Sequence, residues 1–377
     1  MRVLQVMEST IGGTRRHIVD VTRGLLREGV EVHLVASAER EPAFREDLRA
    51  LEAEGALITP LPMVRSVSLA TDYGHYRELK RILRETRPDI IHTHSSKAGA
   101  LGRRASLSTG IGKRVHTPHT FAFLFSAMFS ARKRSLYRHI ESYLGARTDR
   151  MVAVSESEAE TIRAAGVIDP ERVRVVPNGV DPASWLSPES LSRAELGVPE
   201  GAPLAIVAGL LNSAKGQDLA IRALAEPGLA ELQLLLAGHG ELLEQLQALA
   251  AELGVAERVH FLGWRSDLPA LFGAVDLVLV PSRWEGMPYV VLEAGASGLP
   301  VVGTRVDGVR ELVVDGETGF LAELDSPHSL AEAILAVLGL APEAREAMGK
   351  AARERVLANY GVESMVRGLR EVYTELL

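Results

Sequence analysis

One stretch constrains the fold of this chain more than any other. Asp276-Leu277-Val278-Leu279-Val280 is an apolar run of strand length. Pro281-Ser282-Arg283-Trp284-Glu285-Gly286-Met287 follows as a loop, and Pro288 suits the first turn of a helix, where a missing N–H costs nothing. Gly298 and Pro300 then stop that helix. The unit is strand, loop, helix, with Glu285 on the loop and Glu293 expected about two turns along the helix. A helix start at such a place offers N–H groups and a partial positive charge, which suits a phosphate. Two carboxylates beside it repel a phosphate. They suit sugar hydroxyls, which donate to carboxylate oxygens. The simpler alternative is a pair of solvated glutamates.

The same strand-to-loop-to-helix order recurs along the chain. Arg2 to Met7 reads as a strand, Gly12-Gly13 as a turn, Thr14 to Arg27 as a helix and Val30 to Ala36 as a second strand. This βαβ pattern predicts parallel sheets with helices on both faces, and ligands outside the carboxyl ends of the strands. Further strand ends fall at Asp89 to His94, Arg114 to Thr117, Met151 to Ser155 and Val173 to Val176. After a Pro- and Ser-rich interval the pattern restarts at Leu204 to Ala208, Leu232 to Leu236, Val259 to Gly263 and Val301 to Thr304. The domains are expected at residues 1–182 and 200–360, with a linker over 183–199 and a last helix over 361–377 that crosses back to the first domain.

With 377 residues there is room for two full cores. No cysteine is present, which excludes disulfides, thiolate zinc sites and a cysteine nucleophile. Residues 1–180 carry 28 Lys and Arg against 21 Asp and Glu, and the remainder 14 against 28. The basic first half suits an anionic partner, with drift in surface charge as the alternative. No apolar stretch is long enough to span a bilayer and no secretory signal is visible, so a cytoplasmic protein is expected.

Glu285-x7-Glu293 within Pro-Ser-x-x-Glu-Gly-x-Pro, continuing into Glu293-Ala294-Gly295-Ala296-Ser297-Gly298-Leu299-Pro300-Val301-Val302, resembles the signature of retaining glycosyltransferases of the GT4 type. That resemblance implies the GT-B fold: two Rossmann-like domains facing a cleft, the second holding a nucleotide-diphosphate sugar, UDP-linked by expectation, and the first an acceptor. It implies that Glu285 contacts the donor sugar, that Glu293 binds the ribose, and that Gly286, Met287 and Pro288 lie at the donor phosphates. Gly263-Trp264-Arg265 resembles the segment that pairs with the base. Gly209-Leu210-Leu211-Asn212-Ser213-Ala214-Lys215-Gly216 is similar to the family's diphosphate loop: Lys215 matches its lysine, but Leu210 stands where the family has arginine. Arg283, Arg265 or an arginine of the first domain is expected to substitute. Pro177-Asn178-Gly179-Val180-Asp181 matches an element the family has at its cleft.

In the first half, Ile11-Gly12-Gly13-Thr14-Arg15-Arg16-His17 resembles the family's first loop, which implies that Gly13 approaches the donor phosphate and that Gly12 and Thr14 lie toward the acceptor. Ser95-Ser96-Lys97-Ala98-Gly99 resembles a subgroup with lipid-linked or polysaccharide acceptors, placing Ser95 and Lys97 on that side. His119 matches a family histidine near the transferred sugar and His116 matches less well; a hydrogen-bonded loop histidine is the alternative. Lys215 and Glu285 complete the expected catalytic set. Phe121 to Phe129, including Met128, followed by Arg132-Lys133-Arg134 and Arg138, reads as an acceptor-tail groove or a peripheral membrane contact over 121–138. A buried loop beside a solvated helix is the alternative. His92 and His94 share a strand face and could begin a metal site, but no third ligand stands out, and the family works without one. No metal, no other cofactor and no nucleic-acid partner are expected. The rival readings are a nucleotide-sugar epimerase of the same fold and a degenerate nucleotide-sugar-binding subunit, the latter motivated by Leu210.

Overall fold

A computed structural model describes residues 1–125, 129–186 and 190–377. Met128 of the aromatic stretch and residues 187–189 of the expected linker lie outside the described residues. The chain divides into two compact units, Met1–Asn178 with Val362–Leu377, and Gly179–Gly361.

The first unit is built on seven strands: β1 (Arg2–Met7), β2 (Glu31–Ala36), β3 (Leu57–Pro60), β4 (Ile90–His94), β5 (Lys113–Thr117), β6 (Arg150–Ala153) and β7 (Val173–Val175). They form one parallel sheet in the order β3-β2-β1-β4-β5-β6-β7. β1 and β4 are buried almost throughout, because a parallel sheet covered by helices on both faces needs continuous rather than alternating apolar runs. The last helix, Val362–Thr374, lays Met365, Val366, Leu369 and Tyr373 against Val3, Val21, Leu25 and Ile90. Each large apolar side chain buried in this way contributes about 1.5–3 kcal/mol.

The second unit carries β8 (Leu204–Ala208), β9 (Gln233–Ala237), β10 (Val259–Gly263), β11 (Leu277–Val280), β12 (Val301–Thr304) and β13 (Gly319–Ala322). They are parallel in the order β10-β9-β8-β11-β12-β13. Leucines, isoleucine and valines of the strands and of the helices Gln217–Leu224 and Pro327–Leu338 close one core. Part of the interval 183–199 packs on this unit: Trp185 is buried against Phe272, and the Arg193 guanidinium lies 3.1 Å from the Asp276 carboxylate.

In each sheet the strand order reverses once, between β1 and β4 in the first unit and between β8 and β11 in the second. A crevice opens at such a reversal because the two following loops run off in opposite directions. The loop after β1 runs through Gly12 into the helix that starts at Gly13, and Ser95 joins β4 to the helix that starts at Ser96; the loops after β8 and β11 hold 209–216 and 281–288.

Candidate functional site

In the second unit the two switch-point loops are locked together. Gly216 has φ +66°, and a Cβ there would overlap the Pro281 carbonyl, so the turn needs glycine for conformation and for space. The Arg283 N–H donates to the Ala214 carbonyl at 2.7 Å, and its guanidinium to the Ser213 carbonyl at 3.1 Å. Across this joint Lys215 Nζ donates to Glu285 Oε1 at 2.6 Å, and the Ser282 hydroxyl donates to the same oxygen at 2.7 Å. Gly308, at φ +74°, backs onto the Gly286 carbonyl so closely that a Cβ would collide with it.

The helix Tyr289–Ser297 opens after Pro288 and ends at Gly298, whose φ of +74° is the left-handed cap that glycine supplies. Because the helix starts at Tyr289, the buried Glu293 stands about one turn along it, not two. At the carboxyl end of β10, Gly263 takes φ +66°, its carbonyl accepts from the Gly238 N–H at 2.7 Å, and Trp264 is 56% exposed.

Both arginines named as substitutes at the Leu210 position are paired with carboxylates. Both terminal nitrogens of Arg283 reach Asp218, at 2.8 and 2.7 Å, and its Nε reaches Asp325 at 2.7 Å. Arg265 is paired with Asp267 at 2.5 and 2.7 Å. Leu210 itself is half-buried, and its carbonyl accepts from the Gln217 side chain at 2.9 Å.

The first unit's switch point is built differently. Gly12 has φ +56°, Gly13 starts the helix Gly13–Arg27, and the Thr14 hydroxyl is bonded to the Ser9 and Ile11 carbonyls. Ser95, at φ +59°, precedes the helix Ser96–Thr109. His119 and Thr120 also have positive φ, +49° and +75°, and the Glu158 carboxylate holds that turn by accepting from the Thr120 N–H at 2.7 Å and the Val154 N–H at 2.8 Å. Strained backbone of this kind persists only where the surroundings over-determine it, and it gathers at functional sites.

His17, His94 and His119 meet at this edge, with ring centroids 4.7 to 5.5 Å apart. Burial pushes His17 down to about 4, and lowers His94 and His119 well below the usual imidazole value, so all three are neutral at pH 7. His92 does not join them as a ligand: Nδ1 is bonded to the Tyr373 hydroxyl at 2.6 Å and Nε2 to the Thr117 hydroxyl at 2.8 Å. His116 is buried and bonded to Thr93. The place of His17 beside His94 is not visible in the sequence. Its only trace there is that His17 closes the Gly12-Gly13 motif.

Two expectations on the acceptor side are corrected. Phe121 is not a groove residue: it is buried, stacked on Phe123 at 4.8 Å, and packed with Met151 and Ile162 in the core. The reason is that Phe121 and Phe123 turn inward to this core, while Leu124 between Phe123 and Phe125 is exposed. Lys97 is spent on a local ion pair with Asp72 at 2.7 Å and a bond to the Ser66 carbonyl, which leaves its side chain 8% exposed. The exposed surface lies further on, along the helix Ala131–Gly145. Leu136, Ile140 and Tyr143 form an exposed stripe at helical spacing, with exposed Arg132 and Lys133 before it and Arg147 stacked on the Tyr143 ring at 4.0 Å. No helix among the described residues is long and apolar enough to cross a membrane.

Comparison with known proteins gives these arrangements a context. The family model described as Glycosyltransferase Family 4 matches residues 11–184, and that described as Glycosyl transferases group 1 matches residues 189–355. A D-inositol 3-phosphate glycosyltransferase of Salinispora tropica is 33% identical over 97% of this chain and 81% of its own length. The UDP-Gal:alpha-D-GlcNAc-diphosphoundecaprenol alpha-1,3-galactosyltransferase of Escherichia coli is 28% identical over 84% of this chain and 82% of its own length. Among solved structures, Anabaena HepE in complex with UDP and glucose superimposes with a TM-score of 0.84 at 24% identity, each chain covered in full. WaaG, a glycosyltransferase involved in lipopolysaccharide biosynthesis, gives 0.75 at 21% identity, over 99% of this chain and 100% of its own. At these identities the structures speak for the fold, which is GT-B.

Proposed function

This chain belongs to the family 4, group 1 glycosyltransferases, and from that premise we propose that it transfers a sugar from UDP to a lipid-linked or polysaccharide glycan with retention at the anomeric carbon. Glycosyl transfer is the activity that its relatives' names share. The choice of UDP draws on the E. coli relative's UDP-galactose and on HepE with UDP and glucose; the lipid-linked acceptor draws on the diphosphoundecaprenol of the former.

The observation that carries the reading is the Lys215–Glu285 pair, held at 2.6 Å beside the start of the helix Tyr289–Ser297. The anomeric C–O bond breaks as negative charge gathers on the departing diphosphate. An ammonium has three N–H donors, so Lys215 can keep Glu285 and still donate to a phosphate oxygen. The helix start adds its partial positive charge, and Gly286, Met287 and Pro288 let the diphosphate approach it. Fixed donors of this kind stabilise the leaving group without reorganising as it departs. Glu285 then orients the sugar hydroxyls and Glu293 takes the ribose, while Gly263, Trp264 and Arg265 serve the base. No carboxylate is assigned as a nucleophile, and a front-face displacement follows by analogy with the family. Gly12, Thr14 and Ser95 serve the acceptor in the first unit, and His119 serves the transferred sugar.

The cationic and apolar stripe of the helix Ala131–Gly145 suits an anionic bilayer surface, where a lipid-linked acceptor would reside. A screen of UDP-sugars for hydrolysis and transfer tests the reading. One UDP-sugar should turn over with magnesium and manganese withheld. Interconversion of the sugar without an acceptor would instead favour an epimerase, and binding without turnover a sugar-nucleotide-binding subunit. Co-sedimentation with vesicles containing phosphatidylglycerol should fall in an R132E/K133E variant; equal binding by both proteins would exclude this helix as the contact.

A further inference from the structure

We propose that His17, His94 and His119 form a binding site for one divalent first-row transition metal ion of the zinc class, at the β1–β4 switch point of the first unit. One nitrogen from each ring lies within 4.8 Å of the others. His94 Nδ1 and His119 Nε2 are 3.3 Å apart. A tetrahedral ion with Zn–N bonds of about 2.0–2.1 Å separates its ligands by about 3.3–3.4 Å. Two of the three rings already stand at that separation, and the third needs only to close in.

Hydrogen bonds on the far side of two rings fix which nitrogens point inward. The Asn178 side-chain oxygen lies 2.9 Å from His17 Nδ1, so that nitrogen carries the proton and Nε2 keeps its lone pair. The Gln5 amide nitrogen donates to the Tyr373 hydroxyl at 3.1 Å, which turns the Gln5 oxygen toward His94 Nε2 at 2.7 Å. His94 therefore carries its proton on Nε2 and presents the Nδ1 lone pair. Metal-bound histidines are oriented in this way, by an oxygen that accepts from the nitrogen not on the metal. His17 Nε2 is buried and has no hydrogen-bond partner. An N–H from His119 could satisfy His94 Nδ1, but it would leave His17 Nε2 orphaned, and a buried unpaired acceptor is costly. A single cation satisfies all three lone pairs at once.

The donor set selects the ion. Three neutral imidazoles and no carboxylate suit zinc, copper, nickel or iron and discriminate against magnesium and calcium, which prefer oxygen. Three protein ligands leave a fourth position for water or another oxygen donor. His119, half-buried where His17 and His94 are buried, lies on the side from which that donor would enter. The inference stands apart from the diphosphate site in the second unit.

The test is metal binding by the full chain without a polyhistidine tag. Cobalt(II) is titrated in as a visible-absorbing probe, and zinc per chain is then measured after gel filtration. The wild type should take one ion and show the intense visible bands of a tetrahedral cobalt site. His119→Ala and His17→Ala should each weaken binding by at least about tenfold, and Asn178→Ala by roughly 10–100-fold through loss of ring orientation. His328→Ala, which removes the exposed imidazole beside Glu226 and Glu332, should change nothing. Should His17→Ala fail to fold by circular dichroism, His119→Ala at its half-buried position decides alone. Absence of stoichiometric binding by the wild type would overturn the proposal, and so would binding that survives His119→Ala.

Discussion

The two switch points occupy the same place in two sheets of the same design, yet they solve different electrostatic problems. The second unit's is assembled from charges: Lys215 with Glu285 across two loops that Gly216 brings together backbone against backbone, and Arg283 with Asp218 of the helix Gln217–Leu224 and with Asp325 after β13. The first unit's is assembled from neutral imidazoles, of which the buried His17 and His94 are each oriented by an uncharged amide. A partly exposed charged pair can exchange partners when a dianionic ligand arrives. A buried neutral cluster has no surplus charge to offer, and it suits hydroxyls or a metal ion. A shared fold therefore locates a site but leaves its chemistry to side chains supplied by the loops.

The sharpest way to break this contrast is to remove the second unit's cation. Lys215→Ala should lower turnover by roughly 10²–10³-fold, the usual cost of losing one preorganised donor to developing charge. A loss under fivefold, measured by UDP release, would mean that Lys215 does not face the leaving group. Gly216→Ala comes next. It forces a side chain into a left-handed turn against the Pro281 carbonyl, and it should destabilise the second unit by roughly 1–3 kcal/mol in urea unfolding. An unchanged midpoint would show that the loops are not held as described.

Acid should separate the units further. Burial lowers His33 to about 4, and it shifts the switch-point imidazoles in the same direction. A histidine with a depressed native pKa takes up its proton more readily when unfolded. Its stabilisation is therefore intact above about pH 6.5 and is lost as pH falls toward about 4, at up to about 1.4 kcal/mol per pH unit and per group. Tryptic cleavage on acidification should begin in the first unit, where these histidines lie, and cleavage beginning in the second would contradict this order. The smallest effect is expected from Leu210→Arg. Since Arg283 and Arg265 are already paired with carboxylates, an added guanidinium should tighten UDP binding a few-fold, and calorimetry that finds no gain would indicate that the clamp is supplied elsewhere.

Sequence alone made much of the second unit's architecture readable, because its evidence is local. A strand-length apolar run, Pro288 before the helix and Gly298 after it each act on their own neighbours, so the helix falls where these residues put it. The error over Glu293, one turn rather than two, came from counting the loop as helix. The proximity of Lys215 to Glu285 spans 70 residues and was reachable only through the family motifs. In the first unit even these fell short. Nothing in residues 11–17 shows that His17 will meet Asn178, 161 positions away, because that contact is made by the order of strands and not by spacing. Phe121 and Lys97 misled for a related reason: a run of aromatics or a lysine after a strand does not show which side chains turn inward or find a carboxylate nearby.

The central claim is that the nucleotide is held by the second unit's switch point and not by the first's. Calorimetric titration of UDP into the wild type, Glu293→Ala and His119→Ala tests it directly. The account predicts that Glu293→Ala weakens UDP by roughly 1.5–3 kcal/mol, the scale of a hydrogen bond to a charge, while His119→Ala leaves it within about twofold. UDP affinity that is unchanged in Glu293→Ala and lost in His119→Ala would contradict it.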